Sequence, residues 1–254
     1  MTSGPLVQFH LQTAVIGMFN CGKVCLLSIC TCVILVRLQN STREDLSIME
    51  SNKVVVEPVK IAVADPSAIG LFGLAMVTLL ASSQKLGLTS DVSYILPVAI
   101  FLGGLAQLYA SVNDAKHCNT FGSTAFGAYG FFWLVVACTW LTKHGVFGAS
   151  LQSAIDPEQL GFLYLGYLIF TGFMTVGAAG THKVLFTIFV LIDFLFAGLT
   201  LSSFHVAEEF THHLAAYSEL LIALFSFYGA AAAVLNPHFG KVVLPVGKAL
   251  LKRG

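Results

Sequence analysis

The chain has 254 residues, 56% of them apolar and 10% charged, with a mean hydropathy of +0.83. That is about half the charge of a usual soluble domain, which excludes that class, and a formal charge of zero gives no global pull toward nucleic acid. The cysteines show no repeated CxxC pairs, so neither a disulfide framework nor a zinc finger is expected, and no cofactor is implied.

Residues 13–36 form an apolar run broken by Asn20 and Lys23 and followed by Arg37, Arg43, Glu44 and Asp45. Its length suits a signal anchor, but the mid-run lysine and uncharged start make a poor signal peptide. Its composition differs from all that follows. We therefore expect the working protein to begin near Met49, with 1–48 a dispensable extension or translated upstream sequence. The Asn40 sequon matters only if that segment faces a lumen, which the topology argues against.

Six further apolar runs lie at roughly 68–84, 93–113, 119–142, 160–180, 184–204 and 214–235, each near the ~20 residues that cross hydrocarbon as a helix. A β-barrel would show short alternating strands instead. The expectation is an all-α integral membrane protein, a six-helix bundle embedded in a lipid bilayer. The organisation is 1–64 as extension and cytoplasmic flank, 65–247 as the six-helix domain and 248–254 as a cytoplasmic tail. With the N-terminal flank inside, the inner segments hold Lys53, Lys60, Lys116, Lys183, Lys241, Lys248, Lys252 and Arg253. The outer loops hold only Lys85 and Lys143, so the positive-inside rule places both termini in the cytoplasm.

In the first span Asp65 can cap and Pro66 suits the first turn, while Gly70, Gly73, Val77 and Ala81 make a small-residue stripe for packing or pore lining. The second span aligns Gly104, Gln107 and Ser111, with Asp114 near its inner end. A glutamine amide is too costly to leave in lipid, so Gln107 faces protein or water. The third span is the most unusual. At about 100° per residue, Asn119, Gly122, Ser123, Phe126, Tyr129, Gly130 and Trp133 share one face, and Phe121, Ala125, Ala128, Phe131 and Phe132 share the other. Asn119 can cap this helix, offer its amide to a solute, or do both. Tyr129 lies about halfway across and needs a hydroxyl partner.

Four separated stretches in order, DPSAIGLFGLAM, GGLAQLYA, NTFGSTAFGAYGFFW and LNPHFGKVVLPVG, resemble the acetate uptake transporter family of bacterial succinate/acetate permeases (YaaH-type) and fungal acetate transporters. The family usually opens Asn-Pro-Ala-Pro-Leu-Gly-Leu. Here Asp65, Ser67, Ala68 and Ile69 depart from that motif, leaving Pro66, Gly70 and Leu71 as the shared positions of the entrance. The resemblance implies a six-helix protomer with its own pore, assembled as a homo-hexamer in the plasma membrane, moving acetate and sometimes succinate with protons. It also implies a three-residue constriction at Leu74, Tyr129 and Ile192, where the first position is usually Phe.

In the fifth span Asp193 sits midway, beside Ile192, as a candidate proton carrier or the partner of a buried hydroxyl. Glu219 in the sixth span, where relatives commonly carry Gly, is a second candidate carrier. Between these spans His205, Glu209 and His213 would align at successive fours if helical, with Glu208 and His212 beside them, a geometry compatible with a metal. Histidines titrating in an exposed loop are the alternative.

The six spans contain no Arg and no interior Lys. A carboxylate must therefore be held by weak dipoles such as Asn119, Ser123, Gln107 and the Tyr129 hydroxyl, beside Phe126, or cross as the neutral acid. Either route favours a small monocarboxylate over a dicarboxylate. The expectation is a permease or channel for acetate and related monocarboxylates, coupled to protons and not an enzyme. The alternatives are a channel for a neutral solute such as ammonia, urea or an amide, a membrane metallohydrolase using 205–213, and a non-transporting sensor.

Overall fold

The computed structural model describes residues 64–251, all helix and connecting loop. The anchor-like run at 13–36, the expected start at Met49, the Asn40 sequon and the residues 252–254 lie outside the described residues. Seven helices follow in order: α1 (Ser67–Lys85), α2 (Ile95–Lys116), α3 (Thr120–Lys143), a short α4 (Ala149–Ser153), α5 (Pro157–Ala178), α6 (Lys183–Ser203) and α7 (Glu208–Phe239). All but α4 are long and apolar enough to cross a membrane. The six spans expected from the sequence are present.

Their starts are set by local chemistry. Asn119 Oδ1 accepts from the Gly122 N–H at 3.2 Å to cap α3, and Asp156 Oδ1 accepts from the Glu158 N–H at 2.9 Å to cap α5 ahead of Pro157. Asp65 Oδ1 accepts from the Ser67 N–H at 2.9 Å, so it tethers the first turn of α1 as its position suggests. α7 starts earlier than the apolar run, at Glu208, and runs 32 residues to a left-handed Gly240 with φ 62°. At ~1.5 Å per residue that outreaches the ~30 Å hydrocarbon, so its ends stand in the interface.

The long helices form a ring in the order α1, α2, α3, α5, α6 and α7, with α7 returning to α1. Small residues set its spacing. A Cβ at Gly73 would strike the Leu102 carbonyl of α2, and one at Gly198 would lie 2.7 Å from the Thr211 carbonyl of α7. The small-residue stripe of α1 is thus used for packing: Gly70 lies under the Phe126 ring and Gly73 against α2. Within α2, residues Ala99–Ala106 widen into a π-helical stretch, directly opposite Gly73.

The two-face reading of α3 needs correction. Phe131 is exposed as expected, but Ala125 and Phe132 are buried with Tyr129, Gly130 and Trp133. α3 is flanked by α2 on one side and α5 on the other, so more than one face is covered. The LNPHFGKVVLPVG motif folds back on the bundle. Asn236 Oδ1 accepts from the Val243 and Leu244 N–H groups at 2.8 and 2.9 Å, and the Tyr228 hydroxyl donates to the Pro245 carbonyl at 2.9 Å.

Because a backbone carbonyl cannot rotate away, Gly73→Ala is expected to lower the thermal unfolding temperature in detergent. Gly172→Ala, on α5 where a Cβ meets nothing within 4 Å, should hold or raise it, adding up to about 1 kcal/mol of stability.

Candidate functional site: a cavity closed by an apolar neck

One end of the ring encloses a cavity of about 500 Å³. Its mouth is built from helix ends: Asp65 and Ser67 at the start of α1, Asp114 of α2, Asn119 and Gly122 at the start of α3, Thr181 and His182 before α6, and Asn236 and Pro237 of α7. The folded-back Val246 also lines it. Deeper in, the wall turns apolar through Leu71, Ala125, Phe126, Ile188 and Phe189, ending at Leu74, Tyr129 and Ile192. Those three also line a second space of only about 20 Å³, together with Thr78, Phe132, Trp133, Leu195, Phe196 and Ile222. A single water needs roughly 10–15 Å³ by the same measure, so this second space has room for about one water and the passage narrows sharply at these three side chains.

Tyr129 is held rigidly. Its ring packs at 5.9–6.5 Å from Phe170, Phe189, Tyr167 and Phe196, and Phe132 extends the cluster. The hydroxyl lies 3.0 Å from Thr171 Oγ1, and Thr171 itself donates to the Tyr167 carbonyl at 2.7 Å. Since Thr171 has one proton, Tyr129 is the donor of the first bond. The Tyr129 hydroxyl is therefore not available as a donor to an anion, and what it presents to the cavity is its ring.

The polar groups of the mouth are interlocked. Asn119 Nδ2 donates to Asp114 Oδ1 at 2.9 Å while its oxygen caps α3, so the amide serves structure on one side and leaves one N–H over. Asp114 Oδ2 is buried without a partner among the described residues, and Gly122 makes room for it, since a Cβ there would strike that oxygen. Gln107 donates through Nε2 to the Gly103 carbonyl at 2.8 Å, leaving Oε1 as a buried, unmatched acceptor. It is thus both bonded within its helix and part of the wall. No lysine or arginine is among the lining residues.

Of the residues singled out in the sequence, the structure brings together Asp65, Leu74, Gln107, Asn119, Phe126, Tyr129 and Ile192 on this cavity. Pro66 and Gly70 shape α1 without lining it. Ser123 lies where α3 meets α2, its carbonyl accepting from the Ser111 hydroxyl at 2.7 Å. Asp193 is not among the lining residues; its Oδ2 accepts from the Thr175 hydroxyl of α5 at 2.6 Å, and its Oδ1 is buried without a partner among the described residues. Glu219 is ion-paired with Lys85 at 2.7 Å, away from the cavity. The four-residue register of His205, Glu209 and His213 is broken. His205 precedes α7 with a left-handed φ of 58°, and among the described residues no three His, Cys, Asp or Glu side chains converge. Sequence reasoning gave no site role to Asp114 or His182. The signal for Asp114 was its placement five residues before the Asn119 cap.

The sequence and the fold both have known relatives. The GPR1/FUN34/yaaH family profile matches residues 49–248. The chain belongs to the GPR1/FUN34/yaaH family. Within it, the chain is 36% identical over 187 residues to the succinate-acetate/proton symporter SatP of Escherichia coli K12, covering 73% of this chain and 96% of that protein. It is 26% identical to acetate permease A of Emericella nidulans, over 72% of this chain and 65% of the other. The solved structure of the bacterial acetate channel SatP matches with a TM-score of 0.68 and 33% identity, covering 73% of this chain and all of that one. The six-helix ring is therefore an architecture of the GPR1/FUN34/yaaH family.

His182 supplies a pH test of the mouth. Its Nδ1 accepts from the Leu185 N–H at 3.1 Å and so caps α6 only when that nitrogen is unprotonated. Burial pushes its pKa down from the ordinary histidine value, and Asp65 nearby pulls part of the way back. A folded-state value below the unfolded one gives stability that is present above the ordinary histidine range and is lost as pH falls. Thermal unfolding between pH 8 and pH 5 should show this acid limb, and His182→Asn, a cap that does not titrate, should flatten it.

Proposed function

We propose that this chain is a membrane permease or channel for acetate and related small monocarboxylates, crossing with their proton. The observation that carries the reading is the wide polar mouth leading to the Leu74, Tyr129 and Ile192 neck, in a chain whose relatives are named for acetate. The mouth presents Asp65 and Asp114 with no lysine or arginine, so a carboxylate anion there meets like charge. Acetic acid meets none. Its hydroxyl matches the unmatched Gln107 Oε1, and its methyl group matches the apolar neck. A dicarboxylate would bring a second group to neutralise, which disfavours it.

In this reading Leu74, Tyr129 and Ile192 are the constriction, Gln107, Asn119 and Phe126 line the substrate path, and Asp65 marks the entrance. Asp114, a buried carboxylate on the path, is the proton-handling group on the mouth side. Asp193, engaged by Thr175 off the path, positions α5 against α6. The chain works in the plasma membrane with both termini cytoplasmic, which turns the wide mouth inward. Lys116 and Lys183 stand at that end, and Lys85 and Lys143 at the other. Exposed apolar side chains such as Phe101, Tyr109, Phe162 and Phe173 leave outer faces for lipid and for the neighbours of a homo-hexamer.

Acetate uptake into proteoliposomes at two external pH values tests the reading, with unlabelled succinate and urea as competitors. Flux should rise at lower pH and resist both competitors. Tyr129→Phe, which keeps the ring, should hold flux within about threefold while losing about 1 kcal/mol of stability with the Thr171 hydrogen bond. Tyr129→Ala should open the neck and let succinate compete. Loss of flux in Tyr129→Phe would make the hydroxyl a binding group and overturn the neck assignment. Flux blocked by urea alone would favour the neutral-solute channel.

A further inference from the structure

Past the neck, the seam between α1 and α7 holds a buried charge pair that the cavity does not use. Lys85 Nζ, on the last residue of α1, lies 2.7 Å from Glu219 Oε2 of α7, with the side chains 19% and 2% exposed. Both helices line the small space beyond the neck: Thr78 of α1 is two turns from Lys85, and Ile222 of α7 is one turn from Glu219. The order along the bundle is thus mouth, neck, small apolar space, ion pair. The ammonium remains part-exposed, at the end opposite the mouth.

A buried ion pair is not an economical way to join two helices. Well-packed apolar residues of similar volume do so as well or better, whereas an unpaired member of the pair is costly. The pair lines neither the cavity nor the small space past the neck. What it does hold at this depth is a carboxylate on an ammonium, the arrangement a monocarboxylate solute would adopt with Lys85. The charged and titratable groups that bear on Glu219 are Lys85 from α1 and Tyr164 from α5, among the described residues. Tyr164 is a neutral phenol and Lys85 the single cation, so the site has room for one negative charge.

We propose that Lys85 is a second carboxylate-binding site of the passage, at its far end, and that Glu219 occupies it between turnovers. This rests on the reading of the chain as a pathway for small monocarboxylic acids. A neutral acid that has crossed the neck gives its proton to the Glu219 carboxylate and, as the anion, takes that carboxylate's place on the Lys85 ammonium. Glu219 becomes the neutral acid. One O–H bond breaks and one forms, one ion pair replaces another, and net charge is unchanged. The reverse exchange gives an anion entering from the far end its proton before it crosses the neck. The single ammonium selects for one carboxylate.

The test compares wild type, Glu219→Gln, Lys85→Met and the double variant Lys85→Met/Glu219→Gln in two readouts: acetate flux in proteoliposomes and the acetate-dependent rise in melting temperature in detergent. Glu219→Gln frees the ammonium. Its apparent KM for acetate should fall about tenfold, the factor carried by one charge-assisted hydrogen bond, with a lower maximal flux because release is slowed. The double variant is neutral and similar in volume, so it folds even where Lys85→Met alone does not. Its KM should rise by a similar factor. Acetate should raise the melting temperature of Glu219→Gln more than that of wild type, and that of the double variant less. A pair that only joins α1 to α7 would instead leave KM and the acetate-dependent shift of Glu219→Gln and the double variant within twofold of wild type, and this result overturns the proposal. Absence of acetate flux in wild type would fell the acetate reading itself. The site would then be judged on the melting shifts alone, standing if they rank as stated and falling if they are equal.

Discussion

The ring of Tyr129 is held at the centre of the bundle from two directions, and the shape of the passage follows from that restraint. Aromatic neighbours on α5 and α6 fix the plane of the ring, while Thr171 takes the phenolic proton. Thr171 can accept that proton because its own is given to the carbonyl one turn back. The hydroxyl is satisfied away from the path, so Tyr129 closes the passage with an apolar surface. Leu74 and Ile192 complete the closure only because α1 and α6 are brought close to α3, which the small residues at the helix crossings permit.

Around this neck the two ends of the protein differ in their electrostatics. The mouth is wide, carries carboxylates, and spends its amide groups on helix caps and on Asp114. The far end is narrow and carries one ammonium already matched by a carboxylate. An asymmetric pathway of this kind suits the proposed crossing of an acid with its proton. A buried acid that changes state is less costly than a bare ion in hydrocarbon, and no fixed cation in the cavity would trap the solute.

Much of this was legible in the residues. Six hydrophobic lengths predicted six helices, and the Asn119 cap and the Asp65 tether followed from side chains that satisfy first-turn N–H groups. The resemblance placed Leu74, Tyr129 and Ile192 together, and the three residues meet at the boundary between the two spaces. Other assignments depended on which neighbour each helix faces. Periodicity put Ser123 on the polar face of α3 and Phe132 on the greasy one. In the bundle Ser123 meets α2 and Phe132 joins the aromatic cluster, because α3 is covered on two sides. The histidine register at 205–213 failed at a single residue, since His205 adopts a left-handed backbone outside the helix.

Hydrophobic length, end-cap chemistry and the placement of lysines are properties of consecutive residues, and by themselves they determined the class, the spans and the preference for an uncharged passage. The fates of the three acids inside the spans were decided by tertiary structure. Asp193 met Thr175 through one oxygen, Glu219 met Lys85 from 134 residues away, and Asp114, bonded to Asn119 through one oxygen, kept the other unmatched beside the cavity. A buried carboxylate takes its role from whichever donor lies within about 3 Å, and that donor comes from another helix, whose rotation and depth no local pattern specifies.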